Sequence, residues 1–424
     1  MSTTVEPTRH PLHPRHPLTR SAAATGPSGP AAPVTRDPRP SRRHVLRAFG
    51  LGGATVVVAG TGALSCRVFD SGALSPGGGH AYDPWQQWRE PLGLMGAVAC
   101  AILAANPHNT QPWTFHVTDT AVDVLADPTR TIGTVDPLLR EQHIGLGCAL
   151  ENLSLGCLAR GLRPTITLLP DGVEGGRVAH VALVPTFPAT SGLYDAIGRR
   201  HTDRGPYAGQ PLTATELAAL VNSTGLDGVS VHWVTEPSQK ASLGQLLVDA
   251  ATALTHDEQQ SRDSFAWFTG THDDVQRKRD GLTLDAQGLS PLMLSLGKLL
   301  PPYSRAAGDT FWVDQTLTVQ TRTASAYGVI TAAHAGDRFT QLAAGRLLQR
   351  IHLTATDRGL ALQPMNQITE RIDRERTTGA SSTFGQHFAA LLPIGSQPVL
   401  TFRVGHPTQD ARPSPRRALA DVLR

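Results

Sequence analysis

Residues 136–162, DPLLREQHIGLGCALENLSLGCLARGL, and residues 337–360, DRFTQLAAGRLLQRIHLTATDRGL, share one pattern. Leucine and isoleucine recur every three or four residues in both, which predicts two long helices with broad apolar faces. Aligned without a gap at an offset of 198 residues, Gly147 falls on Gly345, and each stretch ends in Arg-Gly-Leu. The shared glycine and the shared ending favour duplication of a half-chain-sized unit; the alternative is that two buried helices merely have a similar pattern.

The ends of the first helix are also predictable. Asp136 is the expected N-cap and Pro137 the first helical residue, and Gly161 is expected to end the helix. Glu141 and Glu151 are predicted on the helix surface, and His143 on one helix face; like Asp136, the glutamates are not interpreted as paired catalytic acids.

The surrounding pattern indicates two units of mixed helix and strand. In the first, over 85–190, Pro170-Asp171-Gly172 separates alternating runs at Thr165–Leu169 and Val178–Val184 and so predicts a hairpin. The second, over 191–424, is expected to contain the helices and strands near Glu216–Val221, Val229–Val234, Ser238–Thr255, Tyr327–Thr331 and Val399–Val404, with a lid-like excursion at 270–310. The predicted class is α+β, with mixed or antiparallel sheets and long core helices.

Composition bounds the function. The chain has 424 residues, a net charge of +3 and only 5% aromatic residues, and no basic stripe with interleaved aromatics, so nucleic-acid binding is not expected. None of the four cysteines forms a C-x-x-C pair, which argues against a zinc or thioredoxin-type site. Cys148 and Cys157 are predicted to be buried free thiols, and a disulfide between them is the open alternative.

The N-terminal region predicts export. Residues 1–40 are rich in Pro, Thr, Arg and His and are expected to be disordered, without a metal site. Arg42 and Arg43 precede an apolar, glycine-rich stretch at 48–64, which predicts a twin-arginine signal over 41–66 and a linker over 67–84. The expected destination is extracytoplasmic or periplasmic, reached through the twin-arginine export machinery, and lipidation at Cys66 would leave the protein membrane-associated. The alternative is a basic turn before a buried helix.

Three separated motifs bear on the chemistry: PHNTQPW at 107–113, RRHTDR at 199–204 and PSPRRAL at 413–419. Together they resemble the FMN-binding nitroreductase superfamily, and HNTQPW in a fused repeat resembles its Acg-like branch. The resemblance covers about 85 to 424. It implies a nitroreductase-like fold in which two fused repeats form a pseudo-dimer within one chain, so a monomer is expected.

The resemblance implies a cofactor and the residues that hold it. The phosphate of FMN favours guanidinium forks and hydroxyl donors. By position in the family, Arg200, His201 and Thr202 meet the phosphate, together with Arg416 and Arg417 from the C-terminal end.

Other residues are implied near the flavin ring. Arg204 matches the residue against the ribityl chain and pyrimidine edge, where a cation raises the flavin potential. Asn109 offers its amide to the flavin, and Asn106 and Pro107 border the ring. Gln111 and Trp113 are interpreted as structural.

The stretch LQPMNQ at 362–367 matches the family loop that faces flavin N5. It places Pro364, Asn366 and Gln367 at the ring, with a backbone N–H of Asn366 or Gln367 bonding N5 or O4. The first unit has no comparable loop, so one flavin per chain is expected.

The implied activity is that of an FMN-dependent oxidoreductase working in ping-pong order, with a small electron-poor acceptor and an open electron donor, NAD(P)H among the options. No other catalytic motif was found: G-x-S-x-G, H-E-x-x-H and Walker A are absent. Two alternatives stay open: an exported flavin-binding or flavin-sequestering protein without turnover, and an FMN-free fold in which the basic clusters only fix the termini.

Overall fold

The computed structural model describes residues 71–73, 75–222, 226 and 228–424. The predicted disordered extension, the twin-arginine signal and Cys66 therefore lie outside the described residues. Within them, no helix is both long and apolar enough to span a bilayer.

Fourteen α-helices are defined in the described part of the chain. They are α1 Pro84–Gln87, α2 Gly93–Ala101, α3 Arg140–Ala159, α4 Gly192–Ala196, α5 Ala214–Asn222, α6 Pro237–His256, α7 Glu258–Phe265, α8 His272–Lys278, α9 Pro291–Leu299, α10 Arg305–Gln315, α11 Thr321–Thr323, α12 Arg338–Asp357, α13 Gln367–Thr378 and α14 Thr383–Ala389.

The strands form two four-stranded antiparallel sheets and one short parallel pair. The strands are β1 Trp113–Val117, β2 Ala121–Ala126, β3 Leu162–Leu168, β4 Arg177–Pro185, β5 Val229–Val234, β6 Phe268–Thr269, β7 Leu282–Thr283, β8 Ala326–Ala332, β9 Ala361–Pro364 and β10 Gln397–Gly405. The first sheet has the order β1-β2-β4-β3 and the second β5-β8-β10-β9, while β6 pairs with β7. The fold class is α+β, as predicted.

The long helix α3 begins later than predicted. Its first residue is Arg140 rather than Pro137, because Leu139 adopts a left-handed conformation with φ of 60°. The Asp136 carboxylate still caps the helix, accepting the backbone N–H groups of Glu141 at 3.1 Å and Gln142 at 3.0 Å. The predicted glycine ending is confirmed, since Gly161 has φ of 71° just after the helix.

The two long helices, α3 and α12, cross at the glycines that the repeat aligns. A Cβ added to Gly345 would lie 2.0 Å from the carbonyl oxygen of Ile144, and one added to Gly147 would lie 2.2 Å from that of Leu342. Only glycine allows two backbones to approach this closely. Duplication stays a prediction, and the contact between aligned glycines supports it.

Two polar residues of α3 are buried, and one of them, Glu151, was predicted on the helix surface. Glu151 is nearly inaccessible and binds Arg346 at 3.0 Å and Arg350 at 2.5 Å, both from α12. His143 is also buried, and its Nδ1 lies 2.6 Å from the Leu139 carbonyl oxygen. The surface prediction failed because α3 is buried on nearly every side, so its polar residues find partners inside the protein.

The described cysteines, Cys100, Cys148 and Cys157, are buried free thiols, which confirms the prediction for the last two. Burial raises the pKa of Cys100 and of Cys157 to about 12, so these sulfurs are inert packing groups.

Candidate functional site

A cavity of about 230 Å³ lies where the loop after α2, the first turns of α3 and α13, and the segment 264–312 meet. It collects predicted site residues from distant parts of the chain. The predicted residues on its wall are Asn106, Pro107, Thr202, Arg204, Pro364, Asn366 and Gln367.

The 107–111 loop has an unusual backbone. His108, Asn109 and Gln111 have φ values of 46°, 55° and 51°, a region that non-glycine residues rarely occupy and that commonly marks functional loops. Gln111 fixes this shape: its backbone N–H donates to Asn106 Oδ1, and its side chain binds the Arg279 carbonyl and the Arg417 backbone N–H, all at 2.8 Å. These contacts support a structural role for Gln111.

Asn109 joins this loop to the C-terminal tail. Its buried Nδ2 donates to the carbonyls of Pro415 at 2.9 Å and Gly281 at 3.3 Å, and its Oδ1 accepts from Arg416. Asn109 is not on the cavity wall. The predicted amide contact with the flavin stays a prediction, and the observed role of this side chain is to anchor the tail.

Arg200 and Arg416 come together, although they lie at opposite ends of the second predicted unit. Their guanidinium carbons lie 5.6 and 4.7 Å from the centre of the same Trp85 ring. Arg200 donates to the Leu103 carbonyl and Arg416 to that of Ala104, both at 3.1 Å. Ala104 precedes Ala105, a residue of the cavity wall, so both guanidiniums contact the chain segment that leads into that wall.

This arginine pair is electrostatically uncompensated. The two side chains are 2% and 3% exposed, form no ion pair with a described carboxylate, and have Nε atoms without hydrogen-bond partners. Burial lowers the pKa of Arg200 to about 10 and holds that of Arg416 well below its usual value, with repulsion from Arg200 adding to the second effect. Two buried cations without a counterion favour an anion at this place.

The other predicted phosphate residues differ in position. His201 is partly buried, with its ring edge-on to Trp85 at 4.5 Å. Burial, then the charges of Arg200 and Arg416, lowers its pKa to about 3. Arg417 is only partly buried, and its guanidinium donates to the Asp421 carbonyl. The structure therefore places Arg417 beside the end of the tail, and its guanidinium does not share the Trp85 contact.

Arg204 is a third cation, partly buried, on the cavity wall. Its Nη1 donates to the Ala286 carbonyl at 3.1 Å, and burial lowers its pKa to about 10. Ala286 belongs to the predicted excursion 270–310, from which Leu282, Leu284, Gln287 and Tyr303 also line the cavity.

The opposite part of the wall is acidic, which the sequence did not indicate. Asn366 donates to Glu141 Oε2 at 2.5 Å and accepts the backbone N–H of Thr401 at 3.1 Å. Glu141 and Glu370 both line the cavity and are both buried. The surface prediction for Glu141 was therefore wrong. Gly, Ala and Leu are spread evenly around α3, which suggests a helix buried on all sides, and Glu141 would then have been predicted inside the protein.

Aromatic rings form a third part of the wall. Phe265 stacks on Phe268 at 5.9 Å, and Tyr303 on Phe311 at 6.2 Å, with Trp312 nearby on the same wall. This grouping is notable in a chain with few aromatics, and it suits a flat apolar ligand. Neither this cluster nor Trp85 belongs to the motifs that suggested the site.

The fold and site together define an α+β protein whose cavity combines aromatic walls, buried cations and a pair of acids. No family model matches the chain. It is 27% identical over 331 residues to a Mycobacterium tuberculosis protein with the provisional name NAD(P)H nitroreductase Rv3131, an alignment covering 76% of this chain and 88% of the relative.

A second curated relative and a solved structure are also similar to this chain. The provisionally named NAD(P)H nitroreductase acg of M. tuberculosis is 24% identical over 353 residues, which cover 78% of this chain and 95% of that protein. A Desulfitobacterium hafniense nitroreductase, solved with bound FMN, matches 56% of this chain and 98% of its own at 13% identity, with a TM-score of 0.34. The curated relatives support the resemblance to the nitroreductase superfamily and an oxidoreductase activity.

Proposed function

We propose that this chain is an FMN-dependent oxidoreductase of nitroreductase type that transfers electrons to a small electron-poor acceptor. The observation that carries the proposal is the buried pair Arg200 and Arg416, two cations without a described carboxylate partner. They contact the chain just before the cavity-wall residue Ala105. The names of the two curated relatives support the same class of reaction and NAD(P)H as the donor.

The residues present fit FMN. Orphaned guanidinium Nε atoms on Arg200 and Arg416 provide charge-assisted donors for a phosphate dianion. Arg204 provides a cation at the cavity wall, and the aromatic rings provide a surface for a flat tricyclic ring. Bound FMN would supply hydride chemistry at its ring.

The chain's own groups would then position the flavin and tune its potential. Arg200 and Arg416 would hold the phosphate, with Thr202 as a hydroxyl donor on the wall nearby. Arg204 would stabilise negative charge that develops at the pyrimidine edge, which favours the reduced state. Asn366 and Gln367 stand at the start of α13, where backbone N–H groups lack helical partners and can donate to a ligand.

The direct test is the absorption spectrum of purified protein, followed by FMN titration of the FMN-free form. Arg200→Gln and Arg416→Gln are each expected to weaken FMN binding by about 10- to 100-fold, the effect of losing a charge-assisted hydrogen bond. Arg199→Gln is the matched control, because Arg199 is exposed and its nearest ion-pair partner, Asp357, lies 3.8 Å away. Circular dichroism verifies that each variant is folded.

The reductant that reduces the bound flavin distinguishes an enzyme from a protein that only binds flavin. Reduction of the bound flavin by NADPH, followed by reoxidation with a quinone or nitroaromatic acceptor, supports the oxidoreductase. The segment 282–312 contributes several cavity residues. Because this segment covers part of the cavity, the second candidate is a flavin-binding protein without turnover. That candidate predicts bleaching by dithionite alone. A folded protein that stays colourless with added FMN would refute both and leave the arginines as tail anchors.

Export and oligomeric state belong to the same proposal. The twin-arginine signal rests on residues 41–66 and the monomer on the fused repeat. Lysine substitution of Arg42 and Arg43 should abolish export of a folded reporter, and light scattering should give the mass of one chain.

A further inference from the structure

Two carboxyl groups from distant helices face the same cavity and have no cation to neutralise them. Glu141 lies in the first turn of α3, and Glu370 in the first turn of α13. Glu370 is 9% exposed, and its carboxyl makes no hydrogen bond or ion pair with any described residue. Glu370 is one of the residues that line the cavity.

The charged groups around this pair already bind other partners. Arg140 makes a two-pronged contact with Asp373, at 2.7 and 2.6 Å. The Asp136 carboxylate is occupied by backbone N–H groups of α3. On the same helix as Glu370, Arg371 and Arg374 bind Asp257.

Other ionisable groups of the described cavity wall form no ion pair with Glu141 or Glu370. Arg204 donates to a backbone carbonyl, and burial lowers the pKa of His108 to about 4, so this ring is neutral at pH 7. Asp309 accepts from Ser261 at 2.6 Å. In the part of the chain that the structure describes, no group of three His, Cys, Asp or Glu side chains could hold a metal ion.

Protons are therefore the simplest counterions. Burial, followed by repulsion from Asp136 and Asp373, raises the pKa of Glu370 to about 8. Burial and then the charge of Glu370 raise the pKa of Glu141 well above its usual value. Asn366 donates to Glu141 Oε2, which leaves Oε1 to carry the proton of that carboxyl.

We propose that Glu370 is the proton donor for the acceptor that is reduced in this cavity. This inference rests on the proposed function. The acceptor class is a neutral flat molecule whose oxygen gains negative charge on reduction, such as a quinone or nitroaromatic.

The step balances in atoms and electrons. The acceptor takes two electrons and one hydrogen nucleus as hydride from reduced FMN, and its oxygen takes a second proton from the Glu370 carboxyl. Glu370 becomes a carboxylate and regains its proton from water before the next turnover. That recovery is favoured because burial and repulsion from Asp136 and Asp373 raise the pKa of Glu370.

The first measurement needs no FMN. Infrared titration of the FMN-free protein should show protonated-carboxyl absorption at pH 7, part of which is lost near pH 8. Glu370→Gln should remove the part that titrates near pH 8, and Glu141→Gln should leave that part in place, because Glu141 is itself uncharged at pH 7. Glu375→Gln is the matched control: Glu375 is buried on the same helix, accepts two backbone N–H groups at 3.2 Å and does not line the cavity.

The second measurement uses FMN-loaded protein in separate half-reactions. Glu370→Gln should slow acceptor reduction by about 100-fold or more, the usual contribution of a general acid, while flavin reduction and the Glu375→Gln control are unchanged. An ionised Glu370 at pH 7, or an unchanged rate in Glu370→Gln, refutes proton donation by Glu370 but leaves the proposed function in place. An intact infrared band in a folded protein that binds no FMN refutes the proposed function and the donor role with it.

Discussion

The crossing of α3 and α12 gives the sharpest prediction about the fold. Gly345→Ala would place a methyl group 2.0 Å from the Ile144 carbonyl oxygen and 2.9 Å from the Gly147 Cα. Carbon–oxygen contacts in proteins lie at about 3.3 Å or more, so the two backbones must move apart by about 1 Å. The obstacle is backbone, and a rotamer change cannot relieve it.

The magnitude follows from two opposing terms. Replacing a helical glycine by alanine gains about 1 kcal/mol in helix propensity, whereas overpacking of a buried contact costs about 3 kcal/mol when backbone must shift. The expected net loss is about 2 kcal/mol in the free energy of unfolding. For about 350 described residues, with an unfolding entropy of about 2.1 cal/mol/K per residue, that loss lowers Tm by about 3 °C.

Differential scanning calorimetry and urea denaturation measure this change. Gly176→Ala is the control, because a Cβ there meets nothing within 4 Å. The double variant Gly147→Ala with Gly345→Ala should lose less than the sum of the single losses, since both open the same interface. If Gly345→Ala were as stable as Gly176→Ala, the close helix crossing would be refuted.

Three further predictions concern stability. The pKa of Glu370 is 4.5 in the unfolded chain and about 8 in the folded protein, so between these pH values the folded protein binds more protons at this residue. The contribution of Glu370 to the free energy of unfolding therefore falls as pH rises. In urea titrations at pH 5 and pH 8, Glu370→Gln should reduce this fall, and an unchanged fall would contradict the assignment. Arg140→Met should cost about 3–5 kcal/mol because it leaves Asp373 buried and unpaired, and Asp373→Leu added to it should restore much of the loss; a double variant no more stable than the single would count against the pair. Asn109→Ala should speed tryptic cleavage at Arg416, because it removes two of the contacts that anchor the tail, and an unchanged cleavage rate would show that the tail is held elsewhere.

Local patterns were sufficient for the elements. Apolar periodicity and a terminal glycine located α3 and α12, and Pro170-Asp171-Gly172 located the hairpin of β3 and β4. The start of α3 was misplaced because the left-handed conformation of Leu139, a residue with no such preference, depends on the packing around it.

The cationic half of the site was predictable and the acidic half was not. Arg200 and Arg416 stand in arginine-rich motifs, and the structure brings them to one tryptophan ring. Glu141 and Glu370 stand in helical stretches where charged residues are ordinarily solvated. Their burial follows from how α3 and α13 pack against the cavity, which is a tertiary property.

The central claim is that the buried arginine pair binds a phosphate, and paired titrations with FMN and riboflavin test it most directly, since riboflavin is the same ring without the phosphate. The wild-type protein is predicted to bind FMN at least about 100-fold more tightly than riboflavin, as loss of two charge-assisted hydrogen bonds implies, and Arg200→Gln with Arg416→Gln should nearly abolish that preference. Equal affinity of the wild-type protein for both flavins, or an undiminished preference in the folded double variant, would contradict the account.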